Sequence, residues 1–172
     1  MGVHFADYQP YAHGRAALVD VEPLAAQHVD GCVALALQRD GGEPERWRAS
    51  FERSFSDPDR ATFVGLVDEQ LAGYATAAFL TWDEGSTAPD GWYLTGVVIA
   101  LPFRRLGAGR ALTAARLEWL RERADTAWYF ASSANPASID LHAPFGFALA
   151  ARDVVIPGVS FTGAGLLYSV EL

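Results

Sequence analysis

The segment that most constrains the fold runs from residue 92 to residue 120. WYLTGVVIA, residues 92–100, is a nearly unbroken apolar run. Such a run suits the buried centre of a sheet better than an amphipathic edge strand. A short turn carrying Arg104 and Arg105 follows, then Gly107-Ala108-Gly109 opens a helical pattern to about Arg123. Ala108, Ala111, Leu112, Ala115 and Trp119 fall on one face of that helix, with Arg110 and Arg121 opposite. Glycines at a strand-to-helix turn let the backbone come close to a ligand and expose successive N–H groups. The helix N-terminus adds unsatisfied donors and a partial positive charge. With Arg104, Arg105 and Arg110 around it, the turn has the makings of a pyrophosphate site. A plain tight turn is the alternative. A Walker loop is excluded, because the chain contains no lysine, and the GxGxxG dinucleotide fingerprint breaks at Leu112.

The remaining elements are read around that segment. Residues 15–22 (RAALVDVE) suit a short strand, and Pro23 is placed to open a helix to about Leu37. A second helix spans about 45–55, with Trp47, Phe51 and Phe55 stacked at four-residue spacing. Strands follow near 61–68 and 70–81, with the two-residue link between Asp68 and Leu71 reading as a tight hairpin. AWYFAS (127–132) is another apolar strand. Asn135-Pro136 starts a short helix as cap and first residue, and Gly146 ends it. FALAARDVVI and GLLYSVEL form the last two strands. The order β-α-α-β-β-β-α-β-α-β-β describes a mixed sheet with helices packed on it, not a doubly wound fold. Residues 1–14 read as an irregular arm and 15–172 as a single domain, a size that buries a substantial core.

Composition bounds the partners. The formal net charge of -8 argues against nucleic acid and is compatible with a cationic substrate. One cysteine, Cys32, excludes an intrachain disulfide and fits a reducing cytoplasm. The first residues lack the pattern of a signal peptide, and no apolar stretch reaches the ~18 residues of a membrane span. The histidines His4, His13 and His28 have no metal-ligand spacing, so no metal is expected.

Two motifs together resemble the GNAT superfamily of N-acetyltransferases. The family's R/Q-x-x-G-x-G/A signature stands as Arg104-Arg105-Leu106-Gly107-Ala108-Gly109. Its N-x-x-[AS]-x-x-L-[YH]-x-x-x-G-F signature stands as Asn135 to Phe147, with Ser138 and His142 at its matching positions. The resemblance covers about residues 15–172. It implies an α/β (α+β) fold: a central mixed, mostly antiparallel sheet of about six to seven strands, splayed at the middle and flanked by about four helices. It implies acetyl-CoA as cosubstrate. The N–H groups from Arg105 through Leu106, Gly107, Ala108 and Gly109 to Arg110 would hold the pyrophosphate. Val97, Val98 and Ile99 would pair with the pantetheine arm, an N–H there (that of Ile99 in this alignment) serving as oxyanion donor. Asn135, Ser138 and His142 would contact the arm from the other side. The chain departs from the family in placing proline at 102 instead of 101, and in carrying His142 where a tyrosine is frequent.

Acetyl transfer to an amine requires a deprotonated nucleophile, oxyanion stabilisation and a stabilised leaving thiolate. Direct attack in a ternary complex is expected. His142, facing the same way as Ser138 on the short helix, is the titratable candidate for acid work, with a packing role as the alternative. Tyr93 sits where several relatives carry a glutamate base. Its ordinary pKa, near ~10, suits positioning a water or substrate better than accepting a proton. Thr95 shares its face. The base is otherwise a water chain or Asp83, Glu84 or Asp90. Trp47 and Phe51 are candidate walls of the acceptor site, and Cys32 reads as buried and structural. The expected acceptor is a primary amine of a small molecule. A peptide or protein acceptor, or a binding module without turnover, is the alternative. A homodimer follows from the resemblance alone.

Overall fold

The computed structural model describes residues 18–172. The expected arm at 1–14, and residues 15–17 of the expected first strand, lie outside them. Seven strands form one sheet in the order β1-β2-β3-β4-β5-β7-β6. They are β1 (Asp20–Pro23), β2 (Arg60–Val67), β3 (Gln70–Leu80), β4 (Gly91–Ile99), β5 (Thr126–Ser132), β6 (Ala148–Arg152) and β7 (Gly165–Glu171). Four helices accompany them: α1 (Val29–Asp40), α2 (Pro44–Glu52), α3 (Ala108–Arg121) and α4 (Pro136–His142). Every neighbouring pair is antiparallel except β4–β5.

Each face of the sheet has its own cover. Tyr74, Val64 and Val98 face α1 and α2, meeting Cys32, Val33, Ala36 and Phe51. Leu94, Ala127, Tyr129 and Ala131 face α3 with Leu117 and Leu120. Both faces of the central strands are therefore apolar, as the uninterrupted run at 92–100 requires. The hairpin between β2 and β3 turns on Asp68 (φ 49) and Glu69 (φ 63), the left-handed pair of a type I′ turn.

Four expectations are corrected. Pro23 does not open a helix; it ends β1, opposite Phe63, where an edge strand tolerates a residue without an N–H. The chain then makes a 3-10 turn at Ala26–His28 before α1 begins. The second helix tightens to a 3-10 turn at Arg53–Phe55. The change of pitch takes Phe55 off the stripe, so Phe51 is buried while Phe55 is 49% exposed. The buried face of α3 is rotated from the expected one. It holds Ala108, Leu112, Thr113, Arg116, Leu117 and Leu120, with Ala111, Ala115 and Trp119 half-buried at its margin. The apolar tally could not place this face because one of its residues is an arginine. The last expected strand but one stops at Arg152, and Val154 and Ile156 pack instead over Tyr93.

Candidate active site

The site begins with a defect in β4. Ala75 pairs with Val97 and Thr76 with Thr95, so Gly96 has no partner on β3. This is a β-bulge, and the φ of 32 at Gly96 suits glycine. Beyond it β4 leaves β5, to which it is paired through Trp92 and Tyr93. The sheet splays there, and the edge of β4 from Val97 to Ile99 faces a gap. The Ala100 N–H donates to the Ala72 carbonyl across β3. Strand alternation then turns the N–H and C=O groups of Val97 and Ile99 toward the gap. Their carbonyls are met there by arginine side chains. Arg39 Nη1 donates to the Val97 carbonyl at 3.1 Å, and Arg104 Nε donates to the Ile99 carbonyl at 3.2 Å. Arg39 is also ion-paired with Asp40 at 2.6 Å.

At the far end of β4 a 3-10 turn, Leu101–Phe103, leads into the N-terminus of α3. Arg105 (φ 63) and Gly107 (φ 100) both adopt left-handed backbone, which curls the chain into a concavity of N–H groups. A Cβ at Gly107 would meet no atom within 4 Å, so its glycine answers to backbone conformation. At Gly109 the reason is proximity, since a Cβ there would lie 3.2 Å from Leu141 Cδ1 of α4. The Ala111 N–H returns to the Gly107 carbonyl, whereas the N–H groups of Ala108, Gly109 and Arg110 precede the first helical bond.

α4 borders the gap from the β5 side. The Asn135 side chain caps it by accepting from the Ser138 N–H at 3.2 Å. His142, at its end, is 3% exposed and stacks on Tyr129 at 4.1 Å. Its Nδ1 lies 2.8 Å from the Ser138 carbonyl. A carbonyl only accepts, so Nδ1 carries the hydrogen and Nε2 keeps its lone pair. Nε2 is buried and meets no hydrogen-bond partner among the described residues. Burial, and then the nearby Arg116 cation, pull His142 down to about 4. It is a neutral imidazole at physiological pH.

The structure joins Ile99 and Arg104 at the end of β4 and sets Gly109, in the first turn of α3, against Leu141 of α4, the helix that Asn135 caps and that carries Ser138 and His142. It sets Tyr93 apart. Tyr93 is 0% exposed beneath the segments after β3 and after β6, and its hydroxyl donates to the Pro89 carbonyl at 2.6 Å. Burial raises its pKa further. Phe51 is buried edge-on against Tyr74 at 4.9 Å. Trp47 is half-buried and donates to the Gly41 carbonyl. Thr95 is half-buried, its hydroxyl directed at the Thr76 carbonyl. Cys32 is fully buried and pushed up to about 12, which leaves it without a usable thiolate. Among the described residues no cluster of His, Cys, Asp and Glu could hold a metal ion. Sequence reasoning missed two residues here, Arg39 and Arg116. The signal for Arg116 was its place at helical spacing among Leu112, Thr113, Leu117 and Leu120.

These features fit acetyl-CoA. The open edge of β4 offers strand-like donors and acceptors to an amide-bearing arm. The curled N-terminus of α3, ringed by Arg104, Arg105 and Arg110, offers N–H groups to a pyrophosphate. When bound, acetyl-CoA supplies an activated acyl group and a thiolate leaving group.

Comparison with known proteins agrees with this geometry. Residues 26–147, well over half of the chain, match the Acetyltransferase (GNAT) family. No curated protein matches the sequence. Several solved structures share the fold at low identity. Ribosomal-protein-alanine N-acetyltransferase from Brucella melitensis superposes with a TM-score of 0.70 at 21% identity, over 88% of this chain and 99% of that one. NAA60 from Arabidopsis thaliana, solved with acetyl-CoA, gives 0.68 at 14% identity, over 90% and 99%. Spermidine N-acetyltransferase from Vibrio cholerae, solved with CoA and spermine, gives 0.69 at 13% identity, over 89% and 95%. The open β4 edge, the curled α3 N-terminus and the family match converge: this chain belongs to the GNAT family and is an acyltransferase that uses acetyl-CoA.

Proposed function

We propose that the protein, acting through residues 15–172 as a single domain, transfers the acetyl group to a primary amine of a small molecule by direct attack in a ternary complex. The observation that carries this reading is the wall over the α1–α2 face of β4. The segments after β3 and after β6 lock together there. The Thr87 N–H donates to the Val155 carbonyl at 2.9 Å, and the Val155 N–H donates to the Thr87 hydroxyl at 2.9 Å. Val154, Ile156 and Trp82 pack beneath them on Tyr93. A walled acceptor end suits a compact substrate; a protein tail needs an open groove. The net charge of -8 favours approach by a cation. The fold neighbour from Vibrio cholerae, a spermidine N-acetyltransferase, is compatible with an amine of this class.

The chain's own groups divide the work. N–H groups of the β4 edge at Val97 and Ile99 face the site of the developing oxyanion. Neutral His142, buried between Tyr129 and Phe147 with Nε2 closed off, packs α4 against β5 and donates no proton to the leaving thiolate. The amine's proton leaves through water. A peptide acceptor is the second reading, favoured by the fold neighbour from Brucella melitensis.

Thiol release from acetyl-CoA, measured against polyamines, amino acids and N-terminal peptides, tests the proposal. Release with a small amine and none with peptides is the expected result. Release with peptides alone overturns it, and cofactor binding without release from any acceptor points to a module without turnover.

A further inference from the structure

Arg116 is 1% exposed, within α3, and forms no ion pair among the described residues. A buried cation with neutral partners is costly, and an apolar side chain of similar volume would fill the space at less expense. The partners explain its presence. Nη1 donates to the Thr76 carbonyl at 3.3 Å and to the Thr95 carbonyl at 3.2 Å. These two residues are the last register pair before the Gly96 bulge. Nε donates to the Leu112 carbonyl at 3.4 Å, and Nη2 donates to the Thr113 hydroxyl at 3.0 Å. The Thr113 hydroxyl in turn donates to the Gly109 carbonyl at 2.9 Å, in the first turn of α3.

One guanidinium thus ties the strand register at the bulge to the helical turn beside the glycines. The bulge decides which backbone groups of β4 face the gap. A slip of one residue would turn the N–H groups of Val97 and Ile99 toward β3. A planar fork with fixed donors holds several carbonyls in one geometry, as a flexible ammonium does not.

We infer that Arg116 is a positioning residue for acyl transfer: it fixes the β4 bulge so that the Val97–Ile99 edge faces the acyl group, in register with the pyrophosphate loop. The inference rests on the reading of that edge as the acyl-donor groove.

The test compares wild type with Arg116→Met and Arg116→Lys. The readouts are kcat and KM by thiol release with the best amine, CoA affinity by calorimetry, and the Val97 amide resonance. Arg116→Met removes the fork, while the N–H groups that bind the pyrophosphate remain. The expected result is a kcat lower by about 30-fold or more, with CoA affinity within about threefold. Arg116→Lys keeps the charge and loses the fork; its kcat is expected to fall about fivefold with CoA affinity unchanged. A kcat within twofold of wild type in either variant overturns the inference. So does a parallel loss of kcat and CoA affinity in Arg116→Lys, which marks general damage to the fold. Should Arg116→Met not fold, Arg116→Lys alone decides by these criteria. If the wild type transfers acetyl to no amine, the function reading fails separately. The Val97 amide of Arg116→Lys then decides: a shifted resonance supports the positioning role, and an unchanged one overturns it.

Discussion

The two glycines of the phosphate loop respond unequally to the same substitution. Gly107 caps α3 with φ 100 and ψ -8, and a Cβ there meets nothing within 4 Å. Alanine at this position encounters backbone strain and no clash. Left-handed backbone costs a residue with a Cβ about 1–2 kcal/mol. In a chain of this size each kcal/mol moves Tm by roughly 2–4 °C, so Gly107→Ala is expected to melt about 2–8 °C lower. Asparagine tolerates the left-handed region, and Gly107→Asn should recover part of that loss. Gly109 sits within the first turn of α3. Its added methyl would press on the flexible end of Leu141 at 3.2 Å, a contact that yields by a small shift. Alanine is also the better helix former by about 0.5–1 kcal/mol. Gly109→Ala should therefore melt within about 2 °C of wild type. The assay is thermal unfolding of the three variants without ligand. An unchanged Tm in Gly107→Ala, or Gly107→Asn melting no higher than Gly107→Ala, would refute the reasoning.

Three further outcomes are expected. The folded pKa of His142, about 4, lies below its ordinary 6.5, so the unfolded chain binds the extra proton between those values. Stability is unaffected by this group above pH 6.5 and falls as pH drops toward 4, by about 3 kcal/mol in total; His142→Phe should flatten that part of the stability–pH curve, and an unchanged slope contradicts the assignment. Tyr93→Phe removes the hydroxyl held by the Pro89 carbonyl and should lower stability by about 1 kcal/mol, read as Tm. The buried thiol of Cys32 should resist a thiol reagent in the native protein and react fully in denaturant; fast native labelling would contradict its burial.

The elements legible in the sequence were those set by local chemistry. The apolar run at 92–100, a tight hairpin within one residue of its place at Asp68–Glu69, the Asn135 cap and the Gly107 turn all depend on a few adjacent residues. What escaped depends on partners distant in the chain. Pro23 became a strand residue because β2 lies beside it, 40 residues on. The Gly96 bulge is defined against Ala75 and Thr76 of β3. Arg39 and Arg116 drew no reading from the sequence, because a hydropathy pattern cannot see the carbonyls of Val97, Thr76 and Thr95 that receive them. The motifs placed His142 beside the gap. Its neutrality follows from burial and from Arg116, which the motif does not contain.

On the reading proposed above, acetyl-CoA lies along the open edge of β4 and ends at the N-terminus of α3. Backbone amide resonances followed while CoA is titrated into the labelled protein test it most directly. Large shifts are expected at Val97, Ile99 and Ala108–Arg110, with β1 and α2 unmoved. Saturable binding that leaves the β4 edge and the first turn of α3 unshifted would contradict it.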